Sequence, residues 1–337
     1  MALGMEIMSA VSTSARSVPV SSLPVIDIGG LRSKKRVDLE AVANRIGDAC
    51  RDKAFFYITG HGVPPHLIDR VIHETKTFFS LPVDAKSAVS RDLSVCGRGY
   101  EPFGYQTLEP GTAPDLKEAF DVGPELPETD PRVVARKLNH GPNLWPDGLP
   151  AFHRTMTEYF EIMLSLSRLL LDGIGRSLGL ADGYFAPFCH EPVALLRLLH
   201  YPEQKVRSAR GEIGAGAHTD FGAITILLQD GTGGLQVRDG EGGWVHAPPI
   251  PGTYVVNLGD LMARWTNDIY KSTQHRVVNV SRTDRYSVPF FLDGNPDYVV
   301  ACLPHCSGPD RPARYAPITT ADHVREAQRR VETRGAS

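Results

Sequence analysis

Residues 214–229 read GAGAHTDFGAITILLQ, a small-residue approach, a His-X-Asp triplet and an unbroken apolar run from Ala223 to Leu228. On an extended backbone, side chains two apart share a face, so His218 and Asp220 project together while Thr219 turns away. Runs of the same kind surround it: ALLRLLHY at 194–201, GLQV at 234–237, WVHAP at 244–248, TYVVNLG at 253–259, HRVVNV at 275–280 and RYSVPFFL at 285–292. Many short strands punctuated by glycine and proline bury one face each by pairing two sheets. The pattern predicts a jelly roll, which also protects strand edges.

Upstream the texture differs. Leu23–Ile28 alternates as a short strand ended by Gly29-Gly30, and Leu39, Val42, Ile46 and Cys50 then recur at helical spacing after Asp38. Ala54–Thr59 reads as a buried strand, and Leu67, Val71, Thr75 and Phe78 mark a second helix that begins after Pro64-Pro65 and ends near Pro82. The clearest helix spans Ala151–Leu180, where Met156, Phe160, Met163, Leu170, Ile174 and Leu178 form a core-facing stripe. Between Arg98 and Gly123 periodicity is lost, and the stretch reads as a long loop able to line a site.

The fold class expected is therefore α+β with a mainly β core: a jelly roll with flanking helices and an N-terminal α/β region. Its parts are a tail at 1–22, an N-terminal region at 23–125, a helical scaffold at 126–190, a catalytic core at 191–300, and a loop and helix at 301–337.

Bulk properties narrow the function. The 337 residues carry 36 Lys+Arg against 39 Asp+Glu, a net charge of -3, which lacks the positive excess that phosphate backbones or anionic membranes attract. A small-molecule substrate is expected, with no nucleic-acid or membrane partner. Five scattered cysteines, an odd number, make a poor disulfide framework and suit a reducing cytoplasm. No secretory leader pattern or run of transmembrane length is visible.

His218 and Asp220 need a third ligand, and His275 stands at the start of another β-like run. Two imidazoles and one carboxylate on one face of a metal leave positions open opposite, the arrangement of non-haem Fe(II) oxygenases. A zinc hydrolase can use the same set, and an isolated His-X-Asp is usually a surface pair. Shortly after His275 come Arg285 and Ser287, again two apart, so a guanidinium fork and a hydroxyl can meet one carboxylate. An arginine on a strand is more often a surface ion pair, but its place after this ligand set favours the binding reading.

With these residues assembled, the chain resembles the isopenicillin N synthase-like group of Fe(II)/2-oxoglutarate dioxygenases. LPVIDIGGL, AFFYITGHGVP and FFSLP resemble the family's N-terminal region, and HTDFG, GGLQV, NLGD, YKSTQHRV and RYSVPFF resemble its double-stranded β-helix. The resemblance implies that His218, Asp220 and His275 bind Fe(II), that Arg285 and Ser287 hold the far carboxylate of 2-oxoglutarate, and that O2 is consumed. It also implies that Tyr201 touches the co-substrate and that Phe291 lines the substrate pocket, with Leu199 where some plant relatives carry asparagine. Arg98 and Tyr105 are candidates for a second pocket wall. Asn257 reads as a turn residue or support near the iron, His61 as a turn residue, and Cys302, His305 and Cys306 as a loop without metal.

The implied reaction couples decarboxylation of 2-oxoglutarate, giving succinate and CO2, to hydroxylation, desaturation or ring closure of a small molecule. Asp220 leaves no place for chloride, which argues against halogenation. An oxidase of the same fold that takes no 2-oxoglutarate, and a barrel that binds without catalysis, are the alternatives.

Overall fold

The structure is a computed structural model that describes residues 23–109, 111–203, 213–278 and 283–335, with side chains to residue 329. The 1–22 tail and the end of the HRVVNV run lie outside the described residues. The N-terminal part is β1 (Val25–Asp27), α1 (Arg36–Asp52), β2 (Phe55–Thr59), α2 (Pro65–Phe79) and α3 (Val83–Ser87). Next come β3 (Tyr100–Glu101), β4 (Glu118–Val122), α4 (Pro131–Val134) and the long α5 (Pro150–Ser177). The expected β runs become β5 (Val193–Tyr201), β6 (Ala215–His218), β7 (Ile224–Gln229), β8 (Leu235–Arg238), β9 (Trp244–His246) and β10 (Tyr254–Leu258). After a short α6 (Asp260–Trp265) follow β11 (His275–Val277), β12 (Arg285–Gly294), β13 (Val299–Val300), β14 (Ile318–Thr319) and α7 (Thr320–Gly335).

Eight strands form one sheet in the order β1-β2-β10-β7-β12-β5-β4-β3, and four form a second in the order β6-β11-β8-β9. The N-terminal strands thus extend the catalytic sheet rather than building one of their own. Side-chain alternation divides the large sheet into two faces. On the outer face, Val288, Phe290 and Leu292 of β12 join Ile224, Ile226, Leu196 and Leu198 in the main apolar core under α1, α2 and α5. Phe160 of α5 meets Phe290 edge-on at 5.2 Å, and Phe152 stacks on Phe78 at 5.3 Å. On the inner face, Phe55, Tyr57, Leu199, Tyr201 and Val255 pack against Ala215, Leu235, Val237 and Val277 of the small sheet. This second, smaller core closes the double-stranded β-helix and surrounds the site.

The expected loop from Arg98 to Gly123 is a correction, because it contains β3 and β4. β4 was hidden by its composition: Glu118 and Asp121 lie on opposite faces of one strand, both 1 % exposed. Each is compensated. Glu118 accepts bonds from Lys86 at 2.7 Å, from the Tyr100 hydroxyl at 2.6 Å and from His200 at 2.7 Å, and Asp121 pairs with Arg197 at 3.3 Å. Buried charges need such partners, and they erase the apolar alternation that marks a strand.

The C-terminal helix packs through Ala321, Val324 and Ala327, and a ring nitrogen of His323 lies 3.0 Å from the Phe221 carbonyl oxygen. Among the described residues no helix is long and apolar enough to cross a membrane.

Candidate active site

β6 delivers His218, the turn after it delivers Asp220, and β11 delivers His275. His275 pairs directly with His218 in the small sheet, so the two imidazoles face each other with ring centroids 4.3 Å apart. One ligand atom from each of His218, Asp220 and His275 lies within 4.8 Å of the others, and among the described residues this is the group able to hold a metal ion. Cys302, His305 and Cys306 form no such group. His61 is a turn residue whose Nδ1 accepts the Val63 N–H at 3.1 Å.

The atoms that face the centre are set by the atoms that do not. His218 Nδ1 lies 2.7 Å from the Gly216 carbonyl and His275 Nδ1 lies 3.3 Å from the Thr273 carbonyl. With Nδ1–H donating to a carbonyl, each Nε2 lone pair is free for a metal. The two Nε2 atoms stand 3.8 and 3.6 Å from Asp220 Oδ1. The other oxygen, Oδ2, accepts bonds from Thr225 Oγ1 at 2.6 Å and Asn257 Nδ2 at 2.7 Å. One carboxylate oxygen is therefore anchored and the other presented.

The electrostatics suit a cation. Burial and the neighbouring His275 push His218 down to about 3, so its imidazole is neutral over the ordinary pH range. Burial alone would raise Asp220, but the two imidazoles and the bonds from Asn257 and Thr225 outweigh it and hold the carboxyl below its usual value. Neutral imidazoles and an ionised carboxylate are the forms that bind metal. The donor set fits Fe(II).

Along the inner face, Arg285 sits opposite Tyr201 in the β5–β12 ladder, and its guanidinium lies 4.7 Å over the Tyr201 ring. Arg285 is 1 % exposed; its Nε–H donates to the Gly233 carbonyl at 2.5 Å and its Nη1–H to Ser287 Oγ at 3.0 Å. Gly234 must be glycine for this approach: its φ is +98°, and a Cβ there would press within 2.7 Å of the Val278 carbonyl. Arg285 Nη2 is buried without a hydrogen-bond partner. An unpartnered buried guanidinium nitrogen is costly, and a carboxylate answers it with charge-assisted bonds. The cradle therefore fits the far carboxylate of 2-oxoglutarate.

Phe291 shares the inward parity of Arg285 and Ser287, is partly exposed, and pairs with Thr225, the residue that anchors Asp220. Leu199 lies in the inner apolar cluster. Arg98 is different and is a correction. It is fully buried, and its guanidinium donates to Asn139 Oδ1, Asn143 Oδ1 and the carbonyls of Pro124, Gly141 and Asn139, which ties down the segment after β4. Its guanidinium is turned into the fold and serves the packing of that segment. Tyr105 is 45 % exposed and its hydroxyl donates to Asp92 at 3.1 Å, a local loop bond.

Several inner-face residues were not anticipated. Arg197 pairs with Glu101 and Asp121, and Lys117 pairs with Asp115 at 2.5 Å, while Asp115 also receives the Gly216 N–H at 2.9 Å beside the ligand strand. The signal for Thr225 was available: a lone hydroxyl at the inward parity of a strand that is otherwise apolar as far as Gln229.

Comparison with known proteins agrees with this geometry. Residues 23–148 match the family model described as non-haem dioxygenase in morphine synthesis N-terminal, and residues 192–294 match that of the 2OG-Fe(II) oxygenase superfamily. The chain is 42 % identical to a 2-oxoglutarate-Fe(II) type oxidoreductase of Emericella nidulans, over 90 % of this chain and 88 % of the relative. It is 44 % identical to a 2-oxoglutarate-dependent dioxygenase of Monascus ruber, over 82 % and 86 %. Among solved structures, a full-length Neurospora crassa protein in complex with alpha-KG and thymine superposes with TM-score 0.80 at 31 % identity, covering 92 % of this chain and 97 % of that one. A 2OG-Fe(II) oxygenase family protein from Caulobacter crescentus gives 0.81 at 32 % identity, covering 92 % and 99 %. Taken with the donor set and the double-stranded β-helix, these likenesses establish that the chain belongs to the isopenicillin N synthase-like Fe(II)/2-oxoglutarate-dependent dioxygenases, acting on a small molecule with O2 as co-substrate.

Proposed function

We propose that His218, Asp220 and His275 hold the iron, that Arg285, Ser287 and Tyr201 hold 2-oxoglutarate, and that the enzyme hydroxylates, desaturates or cyclises a small substrate lying against Phe291. The observation that carries this reading is the unpartnered Arg285 Nη2, on the same strand face as Phe291 and in the same barrel as the three convergent ligand atoms. When bound, iron and 2-oxoglutarate supply the redox chemistry that consumes O2 and releases succinate and CO2. The chain's own residues position and shield, as in other cofactor enzymes.

Asn257 and Thr225 hold Asp220 by one oxygen, and the Gly216 and Thr273 carbonyls fix the imidazole tautomers. Arg285 and Ser287 supply N–H and O–H donors, and the Tyr201 ring backs the guanidinium. The inner apolar cluster of Leu199, Val237, Val255 and Val277 keeps bulk water from the reacting centre.

We further read 23–125 and 126–190 as scaffold, 191–300 as the catalytic region and 301–337 as its C-terminal cover. A cytoplasmic setting is supported by five cysteines that are all free, and small-molecule rather than nucleic-acid or membrane partners by the net charge of -3. The test is an anaerobic titration with Fe(II) and 2-oxoglutarate, followed in the visible. A charge-transfer band that needs both and is lost in Arg285→Ala supports the assignment; a band insensitive to Arg285, or none, overturns it.

A further inference from the structure

The strand that delivers His218 is irregular just before it. β6 and β11 pair His218 with His275 and Ala215 with Val277, so three steps of β6 face two of β11 and one extra residue is bulged out beside the ligand. A bulge leaves backbone groups that the ladder cannot satisfy, and it sets where the neighbouring side chain points. A similar shift between Leu292 and Gly294 of β12 turns Asp293 over Gly222, where any Cβ would meet its Oδ1, but the bulge in β6 is the one that adjoins a metal ligand. β6 is also the end strand of the small sheet, so among the described residues its other edge faces no strand.

Both N–H groups of the bulge are answered from one place. The Gly216 N–H donates to Asp115 Oδ1 at 2.9 Å and the Ala217 N–H to Glu109 Oε2 at 3.0 Å. Asp115 and Glu109 belong to the connection between β3 and β4, which follows the free edge of β6 and donates the Leu116 N–H to the Ile213 carbonyl at 3.1 Å. The connection is braced on itself. The Asp115 N–H donates to the Gln106 carbonyl at 2.9 Å, and the Thr112 hydroxyl to the Glu109 carbonyl at 2.7 Å. So close an approach needs glycine at 216, where a Cβ would stand 2.6 Å from Glu109 Cβ.

Covering a sheet edge requires no particular acceptor. Here the two carboxylates fall on the two residues of the bulge, and Gly216 passes the constraint on: Asp115 fixes its nitrogen, and its carbonyl oxygen lies 2.7 Å from His218 Nδ1. We propose that Glu109 and Asp115 are positioning residues for the iron, clamping the β6 bulge so that His218 Nε2 meets the metal, and that metal loading in turn holds the β3–β4 connection against β6. This rests on the site being the Fe(II)/2-oxoglutarate centre assigned above. The effect runs both ways, because whatever factor the clamp adds to metal affinity the metal returns to the clamp.

The test uses the full chain, titrated anaerobically with Mn(II) in the presence of 2-oxoglutarate and followed by electron paramagnetic resonance. Glu109→Ala is expected to weaken Mn(II) binding by at least about tenfold and Glu109→Gln by less than about twofold, since an amide oxygen still accepts the Ala217 N–H. Asp115→Ala is not a fair test, because it strands the buried Lys117 cation that Asp115 pairs at 2.5 Å. Hydrogen exchange of the peptide carrying Asp115 and Leu116 should slow on metal loading in the unaltered protein and not in Glu109→Ala. A melting temperature of metal-free Glu109→Ala that falls while its Mn(II) affinity holds would mark an ordinary edge cover and overturn the proposal. Equal losses of affinity in Glu109→Ala and Glu109→Gln, or exchange indifferent to metal in the unaltered protein, would also overturn it. Should Glu109→Ala not fold, the exchange measurement decides. The visible band of the Fe(II)/2-oxoglutarate complex is recorded on the same proteins. Its absence from the unaltered protein sinks the underlying assignment; its presence with Mn(II) affinity unweakened in Glu109→Ala sinks this inference alone.

Discussion

The two faces of the eight-stranded sheet are made from the same strands and answer to different physics. Outward, Val288, Phe290 and Leu292 lie in a continuous apolar core with α1, α2 and α5, where close packing sets stability. Inward, the interleaved positions Arg285, Ser287, Phe291 and Asp293 meet buried charges, an unpartnered guanidinium nitrogen and the ligand turn. The difference teaches that stability and chemistry are separable along β12 by parity alone: alternate residues should fail in different assays.

The sharpest way to break that separation is at the ligands. His275→Ala should lower 2-oxoglutarate turnover by roughly a thousandfold or more, beyond the roughly 10–100-fold that follows when a group orienting a ligand is lost. Metal content by mass spectrometry should fall with it, while the melting temperature of the metal-free protein moves little. Phe290→Ala should do the reverse, costing about 3–5 kcal/mol in urea unfolding with the KM for 2-oxoglutarate unaltered in the folded fraction. A large KM change there would mean the faces are coupled.

Arg285→Ala should raise the KM for 2-oxoglutarate by the equivalent of about 2–5 kcal/mol, as expected when one partner of a buried charge pair is removed. Arg285→Lys should recover little, since an ammonium cannot reproduce the planar fork. Asn257→Ala leaves Asp220 Oδ2 with one donor and should weaken metal binding by about 10–100-fold, read by titration with Mn(II).

The smallest effect concerns pH. Asp293 is raised to about 7 in the fold against 3.8 as its ordinary value, so the folded state holds its proton longer than the unfolded chain. Stability of the metal-free protein should then fall as pH rises through that window, and the penalty should be complete above about 7. Asp293→Asn removes it. Its gain should exceed about 1.4 kcal/mol above that pH, one unit's worth, and vanish at the acid end, as followed by melting temperature against pH. A gain independent of pH would show that packing over Gly222, not charge, is at stake.

How much of this was legible in the chain follows from the period of two. His218 with Asp220, and Arg285 with Ser287, could be paired on sight because extended backbone places alternate residues together. His275 fell at a strand start where the fold does use it, opposite His218. β3 and β4 were illegible because their charges are paired across space, with Lys86, Arg91 and Arg197, and pairing partners leave no mark in local sequence. Arg98 looked available for the same reason: its five acceptors come from the segment between Pro124 and Asn143. Asp293 escaped notice because a bulge, not the strand's regular alternation, aims it.

The imidazoles and the aspartate of the ligand set are held by different kinds of anchor. Gly216 and Thr273 steer their histidines through main-chain carbonyls, which every amino acid supplies, so drift at Thr273 can leave its tautomer intact, while Gly216 is confined by the Glu109 backbone, 2.7 Å from where a Cβ would stand, and not by the bond itself. Asp220 depends on the side chains of Thr225 and Asn257, which a single nucleotide change can take away. In a lineage losing its chemistry, the carboxylate's supports should decay before those of the histidines.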